Sequence, residues 1–224
     1  LAAALVSVVM LFRWSWLSGS HPVNRTPPLD GVANMTHTWG GIGLCSVVVT
    51  LMADAALYLS LLFGWFYLWT VAPLWQFSQN SPLTLTSMLL YGVPLTFAAV
   101  TYVWLTRQVR RGVDRHLTAA LWLTAALGLF HCLALTWVFV NGNLSPRSLA
   151  HDSVLLLMLC YLLLHSGIAT VATALQALRT RRGYVGGRQP YELGILRVFW
   201  LYSLAIYWVA FAAFSVAPAL GGQG

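Results

Sequence analysis

The stretch that decides the fold is Leu44-Cys-Ser-Val-Val-Val-Thr-Leu-Met-Ala-Asp54-Ala-Ala-Leu-Tyr-Leu-Ser-Leu-Leu-Phe-Gly-Trp-Phe-Tyr-Leu-Trp-Thr-Val-Ala72, an apolar run interrupted by a single acid. As a helix rising about 1.5 Å per residue it measures about 44 Å, more than the roughly 30 Å of hydrocarbon in a bilayer, so it can cross with room for tilt. Asp54 then lies inside the membrane. A carboxyl there is costly enough to face protein or a water-filled cavity, which makes Asp54 a candidate functional residue.

The rest of the chain has the same character. Hydrophobic residues make up 59% of the 224 and charged residues 8%, with a mean hydropathy of +0.74. That composition excludes a soluble domain and leaves room for about six or seven spans joined by short loops. All twelve basic residues are Arg, a compositional bias, since Arg and Lys serve equally as orientation signals. The net charge of +7 is concentrated in two short loops. Orientation and lipid headgroups account for it better than a nucleic acid partner does. Cys45, Cys132 and Cys160 lie within apolar runs with no short mutual spacing and read as small core hydrophobes, not as metal ligands or a disulfide. No signal-peptide pattern precedes the first segment. The chain starts without Met, already in apolar sequence, which suggests upstream residues or a longer fused polypeptide.

Taken in order, the chain reads as a single transmembrane domain over residues 1–224 with six spans. Span A covers 1–16 and ends in interfacial aromatics around Arg13. Span B covers 37–72, with Thr36 or Thr38 as N-cap and Pro73 as its stop. Span C covers 83–107 and contains Pro94, which predicts a kink and not a break. Spans D, E and F cover 117–140, 149–179 and 191–217. The loops A–B, C–D and E–F carry Arg25, the four Arg between 107 and 115, and the four Arg between 179 and 188, whereas D–E holds only Arg147 and B–C none. The positive-inside rule therefore puts those three loops in the cytoplasm and the C-terminus outside.

Few residues in these spans could carry chemistry. The acids are Asp30, Asp54, Asp114, Asp152 and Glu192, and of these only Asp54 is deep in a span. It reads either as a proton-exchanging site or as a neutral acid bonded to a carbonyl or a neighbouring helix. His131 and His165 are the midspan histidines and read first as polar packing contacts between helices. As a pair on facing helices they could instead ligate a haem, as in a cytochrome b-type membrane anchor. Gly64, Gly128 and Gly167 read as close-packing positions. The sequence has no Cys-x-x-Cys, no His-Glu-x-x-His and no phosphate-cradling glycine loop, so no metal site or catalytic residue is assigned.

The run from Asp54 through Phe63-Gly-Trp-Phe-Tyr-Leu-Trp-Thr-Val-Ala to Pro73 resembles the third-helix signature of subunit III of haem-copper cytochrome c oxidases. In that family an acid, usually Glu, opens an aromatic and aliphatic run that ends near a Pro. The form here looks most like the subunit III portion of fused subunit I/III chains. Four spans follow the acidic helix, as in the family, and one precedes it where the family has two. His165 matches a family His, Arg179 matches the Arg at that helix's cytoplasmic end, and Ile206-Tyr-Trp208 resembles the end of the last helix. The family's His and Asp in that helix align with Leu201 and Leu204.

The resemblance implies an all-α integral membrane bundle lacking the family's first helix, with a cleft that holds phospholipid. It implies a non-catalytic chain that binds no haem or copper itself and packs on catalytic subunit I, possibly fused upstream, and subunit II, in a bacterial or archaeal plasma membrane. By carry-over, Asp54 is the buried acid near the proton-uptake route and Arg179 a phospholipid headgroup contact, a role suited to a guanidinium that can pair bidentately with phosphate. A subunit III-like component of a quinol oxidase or nitric oxide reductase is the alternative within the same group of enzymes. A transporter is disfavoured by the absence of an inverted repeat.

Overall fold

The computed structural model describes residues 42–71, 85–113, 115–142, 150–182 and 191–216. Span A, the N-cap of span B and the stop at Pro73 lie outside these residues, and so do the spans that would form one wall of the expected lipid cleft. The described chain is helical throughout: α1 (Ile42–Val71), α2 (Leu85–Arg110), α3 (Leu117–Asn141), α4 (Ala150–Arg181) and α5 (Tyr191–Phe211), the last followed by a π turn at Ala212–Val216. With 21 to 32 residues each, the helices are about 32 to 48 Å long. All five are long and apolar enough to cross a membrane.

Helices α2 to α5 close into a four-helix ring, each packed on the next and α5 returning to α2. Helix α1 lies outside this ring, against α4 and α5. Its position shows in its burial: 11% of its span is enclosed, against 33% to 44% for the ring helices. Side-chain pairings give the directions. Tyr102 meets Gln176 near the C-terminal ends of both helices, so α2 runs parallel to α4, whereas Arg179 meets Glu192, so α5 runs opposite to them. Tyr58 meets Ile206, just as Asp54 meets Tyr202, so α1 runs parallel to α5. Every described Arg therefore falls at one end of the bundle: Arg107, Arg110, Arg111, Arg115, Arg179, Arg181, Arg182 and Arg197.

The helix ends agree with the sequence reading to within a few residues, and where they differ the backbone explains it. Helix α2 runs on past Arg107 to Arg110, because Arg side chains in a last turn complement the exposed carbonyls. It stops at Gly112, the C′ residue, with φ of +78°. There the Gly112 N–H donates to Val109 O and the Val113 N–H to Gln108 O, both at 3.0 Å, the paired bonds of a Schellman cap. The helix is continuous through Pro94.

Packing inside the ring depends on two close approaches. A Cβ on Gly128 would collide with Thr170 Oγ1 and lie 2.8 Å from the Trp200 ring, and one on Gly92 would lie 2.6 Å from the Tyr207 ring. Gly128 is thus a close-packing position, as expected. Gly64 and Gly167 are not: within the described residues nothing lies within 4 Å of a Cβ built there. Two of the cysteines also depart from expectation, since Cys45 and Cys160 are exposed and only Cys132 is partly enclosed. In a lipid-facing bundle the outer surface is itself apolar, so a hydrophobic neighbourhood in sequence does not distinguish inside from outside.

Buried Ser and Thr hydroxyls are satisfied locally. Thr124, Ser166, Thr170, Thr173 and Ser203 each donate to the carbonyl four residues earlier on their own helix, at 2.7 to 2.9 Å. In a medium without water this internal bonding lets polar side chains enter the core at little cost.

Candidate functional site

Asp54 lies about 18 Å along α1 from its Arg-side end, close to the middle of the span. Three polar groups converge on its Oδ2. The Tyr202 hydroxyl of α5 donates at 2.5 Å, the Tyr161 hydroxyl of α4 donates to the same atom, and His165 Nε2 of α4 lies 2.9 Å away. The cluster is walled by rings: Phe199 stacks on the imidazole at 5.9 Å, and Tyr58 stacks on Tyr161 at 5.1 Å while donating to Ile206 O at 2.9 Å. Tyr161 precedes His165 by one helical turn, which puts both side chains on the face of α4 turned toward α1.

Counting protons defines what this arrangement can do. His165 Nδ1 lies 2.9 Å from the Tyr161 carbonyl, which can only accept, so Nδ1 carries a proton. One further proton then occupies the contact between Nε2 and Oδ2. With it on the imidazole the pair is a cation and an anion, and with it on the carboxyl both groups are neutral. The pair has no net charge in either form. This explains how an acid is accommodated at midmembrane, where a lone charge would be expelled. The two phenols stabilise negative charge on Oδ2, and the imidazole supplies a second basic site for the same proton. The unit is therefore built to hold one exchangeable proton.

The carboxyl is lopsided. Oδ2 takes all three contacts, whereas Oδ1 has no partner among the described residues, and the Asp54 side chain is 25% exposed. The open oxygen belongs to the outermost helix of the bundle.

The remaining site candidates lie elsewhere. Arg179 sits about 21 Å along α4 from His165, and its fork pairs with Glu192 through Nη1–Oε2 at 2.9 Å and Nη2–Oε1 at 3.1 Å. Both side chains are mostly enclosed, so a lipid phosphate would meet only the N–H groups that Glu192 leaves over. His131 is buried in the ring, where Nδ1 bonds the Tyr91 carbonyl of α2 at 2.7 Å. It does not join His165, whose two ring nitrogens are spent on Asp54 and on Tyr161 O.

Sequence reasoning singled out Asp54 and His165 and missed Tyr161 and Tyr202. Tyr161 carried a signal in its spacing of four from His165. Tyr202 lies among the many aromatic residues of α5 and carried no such signal.

The fold and this cluster define an all-α bundle of membrane-spanning length with a part-buried acid–imidazole–phenol site. No family model matches the chain, and no curated protein is detectably similar to it.

Proposed function

We propose that this chain is the non-catalytic, subunit III-type component of a proton-pumping haem-copper terminal oxidase, embedded in a bacterial or archaeal plasma membrane and docked on a larger subunit that holds the haem and copper. The observation that carries this reading is the 2.9 Å contact between Asp54 and His165. The sequence resemblance picked out these two residues separately, on different helices, and they share one proton site at midmembrane. The role is electrostatic: the cluster holds a proton on the outermost helix, next to the face where a catalytic neighbour and its proton-uptake route would lie. The clustering of the described Arg at one bundle end supports a cytoplasmic location for that end, which puts the end of α5 outside.

Purification in mild detergent tests the assignment. Larger haem-bearing chains, identified by mass, should accompany this one, and the absorption spectrum should be that of an oxidase; the electron donor that reduces it separates a cytochrome c oxidase from a quinol oxidase or nitric oxide reductase. In the intact complex, Asp54→Asn should leave assembly in place but slow proton uptake or hasten inactivation during turnover. A chain that purifies alone from native membranes, or a variant with unchanged proton uptake and turnover lifetime, overturns the reading.

A further inference from the structure

His131 differs from the Ser and Thr hydroxyls of the ring, which are bonded to their own helices. It is fully buried, with 0% of its surface exposed. Its Nδ1 lies 2.7 Å from the Tyr91 carbonyl, and because a carbonyl can only accept, Nδ1 carries the proton. No acid among the described residues is bonded to His131, and a bare imidazolium in this interior would be strongly disfavoured. The ring is therefore neutral and Nε2 presents an unprotonated lone pair. That atom is buried and has no hydrogen-bond partner among the described residues.

We propose that His131 Nε2 is the anchor of an internal water site inside the α2–α3–α5 side of the ring. The chemistry selects the occupant. The ligand must donate a proton, because Nε2 can only accept. It must also be small, because the imidazole is sealed from lipid and from any neighbouring chain, with the Tyr207 ring edge-on at 5.2 Å. Water meets both conditions, and bridging otherwise unsatisfied buried groups is its usual structural role. The neighbouring Tyr207, 1% exposed, donates its hydroxyl proton to Met88 O at 2.5 Å and so has none left for His131, while its oxygen keeps a lone pair. The site is separate from the Asp54 cluster, which faces α1 outside the ring, and does not depend on the oxidase assignment.

The test uses the full chain with 15N-labelled histidine in lipid bilayers. Magnetisation transfer from water to the ring nitrogens is measured, and the His131 signals are assigned by their loss in His131→Asn, which keeps a donor near the Nδ1 position. A map of the unaltered protein fine enough to show ordered water gives an independent readout if that variant does not fold. The expected result is an unprotonated Nε2 receiving magnetisation from water, and density at about 2.7 to 3.2 Å from it. A protonated Nε2, an unprotonated but dry Nε2, or a protein donor occupying the position in the map each overturns the proposal.

Discussion

Replacing Asp54 by Ala removes the acceptor shared by Tyr161, Tyr202 and His165, and the expected consequence is a loosened α1. Hydrogen bonds between membrane helices are worth about 0.6 kcal/mol on average and about 1.7 kcal/mol at most. Three of them sum to about 2 kcal/mol, with a ceiling of about 5 kcal/mol. Since all three end on one oxygen they do not act independently, and the lower figure is the better expectation. A loss of about 2 kcal/mol moves the docking equilibrium of α1 about thirtyfold toward the undocked state. The helix stays in the membrane, because Tyr58 still bonds Ile206 O and Trp65 still meets Phe214 edge-on at 5.3 Å. The exposed Cys45 on α1 and Cys160 on α4 offer natural attachment points for spin labels once Cys132 is changed to Ser. Pulsed dipolar spectroscopy in nanodiscs should show one narrow distance distribution with Asp54, a broadened or longer one with Asp54→Ala, and a return toward the narrow form with Asp54→Glu. An unchanged distribution in the Ala variant would refute the argument that the carboxyl fastens α1.

Other outcomes follow from the same geometry. Tyr161→Phe and Tyr202→Phe should each cost about 1 kcal/mol, and the double variant should cost less than the sum, because the two phenols share Oδ2; thermal unfolding of all four forms in detergent measures the coupling. Gly128→Ala should destabilise the bundle by about 1 to 3 kcal/mol through overpacking against Thr170 and Trp200, seen as a lower Tm, whereas Gly64→Ala, with open space around it, should stay within about 0.5 kcal/mol. Glu192→Ala frees the Arg179 fork, so anionic lipid retained in native mass spectra should rise, and Arg179→Ala should lower it; no change in either would remove Arg179 from any headgroup role. Infrared difference spectra of Asp54→Asn against the unaltered chain should lose either a carboxylic acid or a carboxylate band, which states where the shared proton rests.

Much of the architecture was legible in the sequence because spans are written as long apolar runs bounded by Arg or Pro. The five described helices fall where those runs predict, with the largest extension at the C-terminal ends of α2 and α4, where Arg side chains prolong a helix instead of ending it. Facing was much less legible. These helices are apolar all round, so nothing in the periodicity told Gly128, pressed against Trp200, from Gly64, which meets open space, or Cys132 from Cys45. The site was half legible. Asp54 declared itself as a lone midspan acid, and His165 as one of two midspan histidines, with nothing in the sequence to say which of the two would meet the acid. The two tyrosines were hidden because a membrane protein has many tyrosines, and most satisfy an interface or a core. Only the assembled fold shows which phenols turn toward a carboxyl.

The local bonding of Ser and Thr has a consequence for how the helices find their places. Hydroxyls that answer to their own backbone say nothing about which neighbour a helix should adopt or at what height. That information rests with side chains that reach across: Tyr58 to Ile206 O, Tyr102 to Gln176, Tyr207 to Met88 O, Trp200 to Thr173, and the pair at Asp54. Nearly every one is an aromatic ring with a polar tip, long and stiff enough to act as a dowel between two otherwise slippery rods. Exchanging the hydroxyl residues that bond only their own helix should leave the bundle's registry intact, whereas blunting the dowels, or the Thr173 that receives Trp200, should let rods slide.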